Sequence, residues 1–512
     1  MKNQQQYLII LLFFAVIANT FAQKSNTPKK PNILVIFSDD HALQAISAYG
    51  SPHIKTPNID RIAKDGAIFK NMFCTNSLCA PSRATLLTGK FSHINGHKDN
   101  RTKFDAGQDM FPKRMQEAGY ETSWIGKWHL EATPQYFDYW SVLPGQGQYY
   151  NPDFIEMDGK TKRYEGYATN LIADRALNWL QNQHDSSKPF CLVVGQKAPH
   201  RPWLPDSTDF HAFDGVKFKM PENFYDSYEG RIAAQKQKMN IVVDQTLDSD
   251  LKVKNGTELH TKRMNAAQAK AWDAYYEPLN EQFKQQNLSG KALDEWKFQR
   301  YMHDYLACIT SLDKNIGKIL DYLDKAGLSE NTLVIYSSDQ GFYLGEHGWF
   351  DKRFMYEESF HMPLVMRYPK IIKKGTVIND FAQNIDFAPT FLDLAGIPIP
   401  KDIQGKSLIP ILKNQKPASW RKSVYYHYYE FPWDHNVMSH FGVRTERYKL
   451  IRFYGDGNFW ELYDLKNDPN EMKNIYSSAP KQTIITLKMN LKSLITQYED
   501  TEAEAIFNAK LN

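Results

Sequence analysis

Asn-Ile-Leu-Val-Ile-Phe-Ser-Asp-Asp, residues 32–40, is the stretch on which the fold turns. Five apolar residues in a row, Ile33, Leu34, Val35, Ile36 and Phe37, run straight into two carboxylates. A strand with one wet face alternates apolar and polar side chains, whereas an unbroken apolar run suits a strand buried on both faces of a parallel sheet. Three more segments repeat the pattern: residues 122–125 before Gly126-Lys127-Trp128-His129, residues 190–194 before Ala198-Pro199-His200, and residues 332–337 before Asp339-Gln340-Gly341. Helical periodicity lies between them, as in residues 169–181 and 305–326. The alternation predicts a doubly wound α/β domain whose polar residues gather at the carboxyl ends of the strands, where such sheets bind ligands.

Outward from that core the chain divides. Residues 1–22 carry Lys2, an apolar run over 8–18 and the small-residue stretch Thr20-Phe21-Ala22, which reads as a cleaved export signal. The apolar run is shorter than a bilayer span and no later stretch is long enough, so the mature protein is expected to be exported, periplasmic or secreted, without a membrane span. Residues 23–420 read as the main domain, with a polar helical insertion at 206–300 rich in Gln and Lys. From 421 to 512 the composition turns to Tyr- and Trp-rich strands, over 424–430 and 442–454, and then to a helix after Pro480, a smaller antiparallel sheet with a closing helix.

Over 512 residues, 42% are apolar, 23% are charged and the net charge is +4, which excludes a disordered chain and leaves nucleic-acid binding without a basic footprint. Cys74, Cys79, Cys191 and Cys308 show neither zinc spacing nor a disulfide framework. One of them stands out. Pro81 and Ser82 suit a first helical turn, so Cys79 falls at a helix N-terminus, which favours a nucleophile facing an anion.

The run Cys79-Ala80-Pro81-Ser82-Arg83-Ala84-Thr85-Leu86-Leu87-Thr88-Gly89 resembles the maturation motif of the type I sulfatases, whose cysteine is oxidised to formylglycine. The resemblance runs on from Asp39-Asp40 through the strand-end motifs above to Glu461-Leu462-Tyr463-Asp464-Leu465. It implies the alkaline-phosphatase-like sulfatase fold, with a large mixed, mostly parallel sheet flanked by helices and a smaller C-terminal antiparallel sheet. It also implies a sulfuric ester hydrolase matured at Cys79 by a formylglycine-generating enzyme. Asp39, Asp40, Asp339 and Gln340 offer hard oxygen ligands, which with the modified Cys79 favour calcium, or magnesium as second choice. Gln340 stands where many sulfatases carry Asn or His. The family pattern assigns Arg83 to hold the formylglycine hydrate, Lys127 and Lys352 to bind sulfate oxygens, and His129 and His200 to proton transfer. Of these, His200 is expected as the acid toward the sugar oxygen and His129 as the base for collapse of the hydrate.

Recognition of the substrate is the thinnest reading. His347, Arg201, Trp203, Glu430, His435, His440 and Arg444, with Trp433 beside them, are candidates for contact with a sulfated polysaccharide or oligosaccharide, because aromatics stack on sugars and charged groups meet hydroxyls or carboxylates. An aromatic core under a small sheet would use the tryptophans equally well, and His347 could equally serve packing. Similarity to exported bacterial sulfatases favours algal polysaccharides such as ulvan, with glycosaminoglycans as the alternative. Two other functions stay open: a phosphatase or phosphodiesterase on the same fold, which calls for a Ser or Thr nucleophile and two zinc ions, and an unmodified, carbohydrate-binding relative.

Overall fold

The computed structural model describes residues 30–253, 260–415 and 417–509; the expected export signal at 1–22 lies outside them. Sixteen strands are present among the described residues, in chain order β1 (Asn32–Ser38), β2 (Ala67–Phe69), β3 (Met72–Phe73), β4 (Glu121–Lys127), β5 (Tyr139–Leu143), β6 (Asp153–Glu156), β7 (Thr161–Arg163), β8 (Phe190–Gly195), β9 (Thr332–Ser338), β10 (Leu364–Arg367), β11 (Thr376–Ile378), β12 (Ala382–Gln383), β13 (Ser423–Tyr428), β14 (His440–Thr445), β15 (Tyr448–Phe453) and β16 (Phe459–Asp464). Ten of them form one sheet in the order β11-β2-β10-β9-β1-β8-β4-β5-β6-β7. β1 lies at its centre, parallel to β8 on one side and to β9 on the other.

Every residue of β1 is buried. Its side chains divide by parity, as the two-residue period of a strand requires. Ile33, Val35 and Phe37 join one core with Cys191, Val193, Leu333 and Ile335. Leu34 and Ile36 join the other with Leu192, Val194, Val334 and Tyr336. The unbroken apolar run thus feeds two cores at once. Parallel pairing continues through β4 and β5, while β10, β6 and β7 run antiparallel toward the two edges.

The small sheet follows the order β13-β14-β15-β16, all antiparallel. One face, with Phe441, Val443, Leu450 and Leu462, packs under the helix Lys481–Gln497 through Leu487, Leu491 and Leu494. The opposite face, with Tyr426, Ile451 and Phe453, merges into the core of the large sheet. Residues 442–454, expected as one strand, are a hairpin: Thr445 Oγ1 accepts the Tyr448 N–H at 3.0 Å and turns the chain between β14 and β15. Residues 206–300 are helical mainly in their second half. Among the described residues before 265 they run largely as turns, with Ser207–Asp209 and Ile232–Lys236 as short helices, and Phe210, Phe218 and Phe224 join the neighbouring core. The helices Ala266–Gln286 and Gly290–Lys325 follow. From Pro31 onward the described chain forms one compact unit, and no described helix is long and apolar enough to cross a membrane.

One close approach sets the spacing of the strands beside the centre. Gly126 of β4 pairs with Gly195 of β8. A Cβ at Gly126, whose φ is +100°, would lie 2.1 Å from the Gly195 carbonyl oxygen, and one at Gly195 would lie 2.3 Å from that of Lys127. Only glycine allows this contact. Gly126→Ala is expected to lower stability by about 3 kcal/mol through forced strand separation and left-handed strain. Urea unfolding of the variant beside the parent checks this, and equal midpoints would show that the strands part at no cost.

Candidate active site

The pairing of β1 with β9 runs in register to Ser38 opposite Ser338. The next residues therefore emerge side by side, Asp39 with Asp339 and Asp40 with Gln340. The Asp40 N–H donates to Asp339 Oδ1 at 3.1 Å, and Gln340 Nε2 donates to Asp40 Oδ1. Carboxylate oxygens of Asp39, Asp40 and Asp339 lie within 4.8 Å of one another, and all three residues are buried. Burial, reinforced by Asp339 and Asp351, pushes the Asp40 carboxyl up to about 7 against the pull of Lys352. Asp39 Oδ1 and Gln340 Oε1 are buried acceptors without a hydrogen-bond donor. A crowded, oxygen-only donor set with orphaned acceptors fits a hard divalent cation.

Against this cluster stands the helix Cys79–Thr88, buried along its whole length, with Cys79 at its first position and Gly89 closing it in a left-handed cap. Arg83, one turn on, donates to Asp339 Oδ2 at 3.1 Å and to the Lys127 carbonyl at 2.9 Å. Lys127 contacts Asp39 and donates to Gln146 Oε1 at 2.5 Å. Lys352 bridges both oxygens of Asp40, at 2.6 and 2.8 Å, and reaches Cys79 Sγ at 3.5 Å. Burial pushes the Cys79 thiol well above its ordinary value. An unmodified thiol held protonated in this way is a poor nucleophile.

Two imidazoles complete the centre. His200 places Nε2 3.7 Å from Asp40 Oδ2, while Nδ1 donates to the Arg201 carbonyl at 2.7 Å and so fixes the ring's orientation. An oxygen of Asp39, a ring nitrogen of His200 and Cys79 Sγ also lie within 4.8 Å of one another. His129 is buried, with φ +55° and an unpartnered Nδ1. Burial first, and then the neighbouring lysines, hold both rings well below the usual histidine range, so both are neutral.

All ten residues expected to carry catalysis and the metal are thus brought to one place. Most of the expected sugar contacts are not. Trp203 has no exposed surface and packs edge-on against Tyr301 at 4.7 Å, so neither face is open to a sugar. His440 is buried under Phe453 and Tyr426, with its Nε2 accepting the Met355 N–H at 3.0 Å. Arg444 pairs with Glu357 at 3.2 Å, beneath the small sheet. His347 is buried and hydrogen-bonded to Asp226 at 2.7 Å. Glu430 holds Arg353 at 2.8 Å from a buried position. These five are packing and ion-pairing residues, and their sequence context could not reveal their burial. Arg201 and His435 do lie toward the mouth, about the ring of Phe350. Arg201 forms a double hydrogen bond to Asp250 at 2.6 Å, and His435 lies 3.4 Å from Asp351.

Sequence reading passed over Lys197. It is buried, its Nζ donates to the Gln146 carbonyl at 3.0 Å, and burial brings its ammonium down to about 8. The clue that singled out Lys127, a lysine directly after a buried strand, applied equally here. Asp351 and Arg353 were missed too: both are buried, both have positive φ, and they pair at 3.2 Å on either side of Lys352.

The sulfatase family model matches residues 31–397, and that of the N-sulphoglucosamine sulphohydrolase C-terminal region matches residues 345–499. An N-acetylglucosamine-6-O-sulfatase of Bacteroides thetaiotaomicron is 48% identical over 98% of this chain and 93% of its own length. An ulvan-active sulfatase of Formosa agariphila is 26% identical over 92% of this chain and 82% of its own length. Among solved structures, a protein in complex with its substrate D-glucosamine-2-N,6-O-disulfate superimposes with a TM-score of 0.91 at 48% identity, covering 94% of this chain and all of the other.

The Arg83–Asp339 pair has no exposed side-chain surface. Removing one partner should leave the other charge uncompensated, so Arg83→Leu is expected to cost about 3–5 kcal/mol in urea unfolding. Arg83→Leu combined with Asp339→Asn should recover part of the loss, and a double variant no better than the single would deny the coupling.

Proposed function

The chain belongs to the sulfatase family and is an enzyme of that family, a premise from which we propose that it removes the 6-O-sulfate of glucosamine in glycosaminoglycan-type saccharides. The observation that carries this reading is the 48% identity, along almost the whole chain, to an N-acetylglucosamine-6-O-sulfatase. The substrate-bound structure at the same identity supports it. Ulvan, favoured on sequence, has the weaker support of a relative at 26% identity. A phosphatase would want a Ser or Thr where this chain has Cys79, and a nitrogen-rich two-metal set where it has Asp39, Asp40, Asp339 and Gln340.

We further propose that Cys79 works as formylglycine and that Asp39, Asp40, Asp339 and Gln340 hold calcium, with magnesium the second choice. A hydrated formylglycine supplies an oxygen nucleophile for sulfur, and a bound divalent cation lowers the pKa of such an oxygen and neutralises charge on the sulfate. The chain's own residues do the rest. Arg83, one helical turn from position 79, holds Asp339 and the Lys127 carbonyl beside that side chain. Lys127, against Asp39, and Lys352, against Asp40 and Cys79, would supply two cations to one tetrahedral anion.

His200, with Nδ1 occupied by the Arg201 carbonyl, turns Nε2 toward the departing sugar oxygen. Burial and, after it, the neighbouring lysines keep the ring neutral; an anionic sulfate between the lysines would offset the second cause and favour a proton at Nε2 for the leaving alkoxide. His129, also neutral, would accept the proton released from a formylglycine hydrate as sulfate leaves. The exported location and the maturation enzyme belong to the same proposal, because they are the context in which Cys79 would be converted.

Peptide mass spectrometry of active protein should find residue 79 lighter by the exchange of a thiol for an aldehyde, and full activity from an unmodified thiol would end the scheme. Chelation should abolish turnover, with calcium restoring it better than zinc; a zinc preference would point to the phosphatase reading. His200→Ala should lower kcat about a hundredfold or more on 6-sulfated N-acetylglucosamine, and much less on an aryl sulfate whose leaving group needs no proton. Equal losses on both substrates would reassign His200.

A further inference from the structure

We infer that Arg101 and Trp433 form an outer saccharide subsite that binds a uronic acid joined to the sulfated glucosamine, an inference that rests on the proposed function. Among the described tryptophans Trp433 alone is exposed, at 53%. The Arg101 guanidinium stacks on its ring, 4.3 Å from the centroid. It lies 3.7 Å from Asp434, too far for a hydrogen bond, and donates to no described side chain. A guanidinium stacked on one face of a half-exposed indole, with only a long ion pair to Asp434, thus stands at the surface.

The pair is tied to the centre. Asp434 stands 4.0 Å from Arg353 on its inner side, and Arg353 pairs with Asp351, the residue before Lys352. Glu430 accepts from Arg353 through one oxygen and from the Asn100 N–H, next in chain to Arg101, through the other at 2.8 Å. A run of alternating charges therefore leads from the buried lysine out to Arg101.

The chemistry selects the ligand. An indole face stacks on the C–H face of a pyranose, and a guanidinium fork meets a carboxylate with two parallel hydrogen bonds. A uronic acid offers both; a neutral hexose offers only the first.

The experiment compares kcat/KM for three substrates: 6-sulfated N-acetylglucosamine alone, the same sugar linked through its anomeric carbon to glucuronic acid, and the same sugar linked to galactose. The parent enzyme should prefer the glucuronic acid disaccharide over the monosaccharide about tenfold, chiefly in KM, with the galactose disaccharide between them. Arg101→Gln should bring the glucuronic acid substrate down to the galactose level, and Trp433→Ala should bring both disaccharide-to-monosaccharide ratios to about one. A ratio near one in the parent, or a ratio that survives both substitutions, overturns the subsite.

Turnover of the monosaccharide tests the proposed function by itself. If none of the three substrates is hydrolysed, that reading fails and the subsite is judged by binding of the unsulfated glucuronic acid disaccharide. Quenching of tryptophan emission in the parent but not in Trp433→Ala supports it, and no quenching in the parent overturns it.

Discussion

Charge balance without water is the constraint on which this structure depends. Asp39, Asp40 and Asp339 have almost no access to solvent, and three isolated carboxylates in such a place would protonate or force the site open. Each is instead met by a cation from a different part of the chain: Lys127 on Asp39, Lys352 on Asp40 and Arg83 on Asp339. The three pairs determine which elements must come together. The helix bearing Arg83 has to lie buried against the strand ends, β4 has to approach closely enough for Lys127 to reach across β8, and the loop after β9 has to fold back with Lys352. The glycine contact between β4 and β8 is the steric condition for the second of these.

The centre of the fold was legible because its chemistry is local. A run of five apolar residues ending in Asp39-Asp40 can hardly be anything but a doubly buried strand with a polar end, and the residues after β4, β8 and β9 followed by the same rule. The start of helix Cys79–Thr88 carried its own marks in Pro81 and Ser82. Failures began where position depended on distant packing. Trp203 and His440 have the composition of sugar-binding residues, yet one is sealed by Tyr301 and the other by Phe453, contacts spanning 98 and 13 residues that no spacing rule reports. Lys197 was overlooked for a different reason: it satisfies the strand-end rule, and attention went to the histidine three residues later.

Backbone conformation marks the same places. Asp40, His129, Asp351, Arg353 and His435 all have positive φ, which side chains other than glycine seldom adopt. Asp40 and His129 lie two residues beyond the ends of β1 and β4, Asp351 pairs with Arg353 and His435, and twelve further non-glycine residues of the described chain share the conformation. Strain of this kind persists only where surrounding contacts over-determine it. The dense pairing around Arg353 and Asp351 supplies those contacts.

The position of β1 bears on how the protein comes into being. Among the described strands this one is the first to be synthesised, yet one neighbour, β8, lies about 160 residues later, and the other, β9, is followed by Asp339, whose side chain accepts the Asp40 N–H across 299 residues of chain. During synthesis this buried apolar strand has one edge without its partner until β8 is made and the other until about two-thirds of the polypeptide has been made. Such long-range parallel pairing is slow to form and exposed to misassociation. The feature that makes the finished centre so well enclosed therefore makes its nascent chain dependent on being kept apart from other chains.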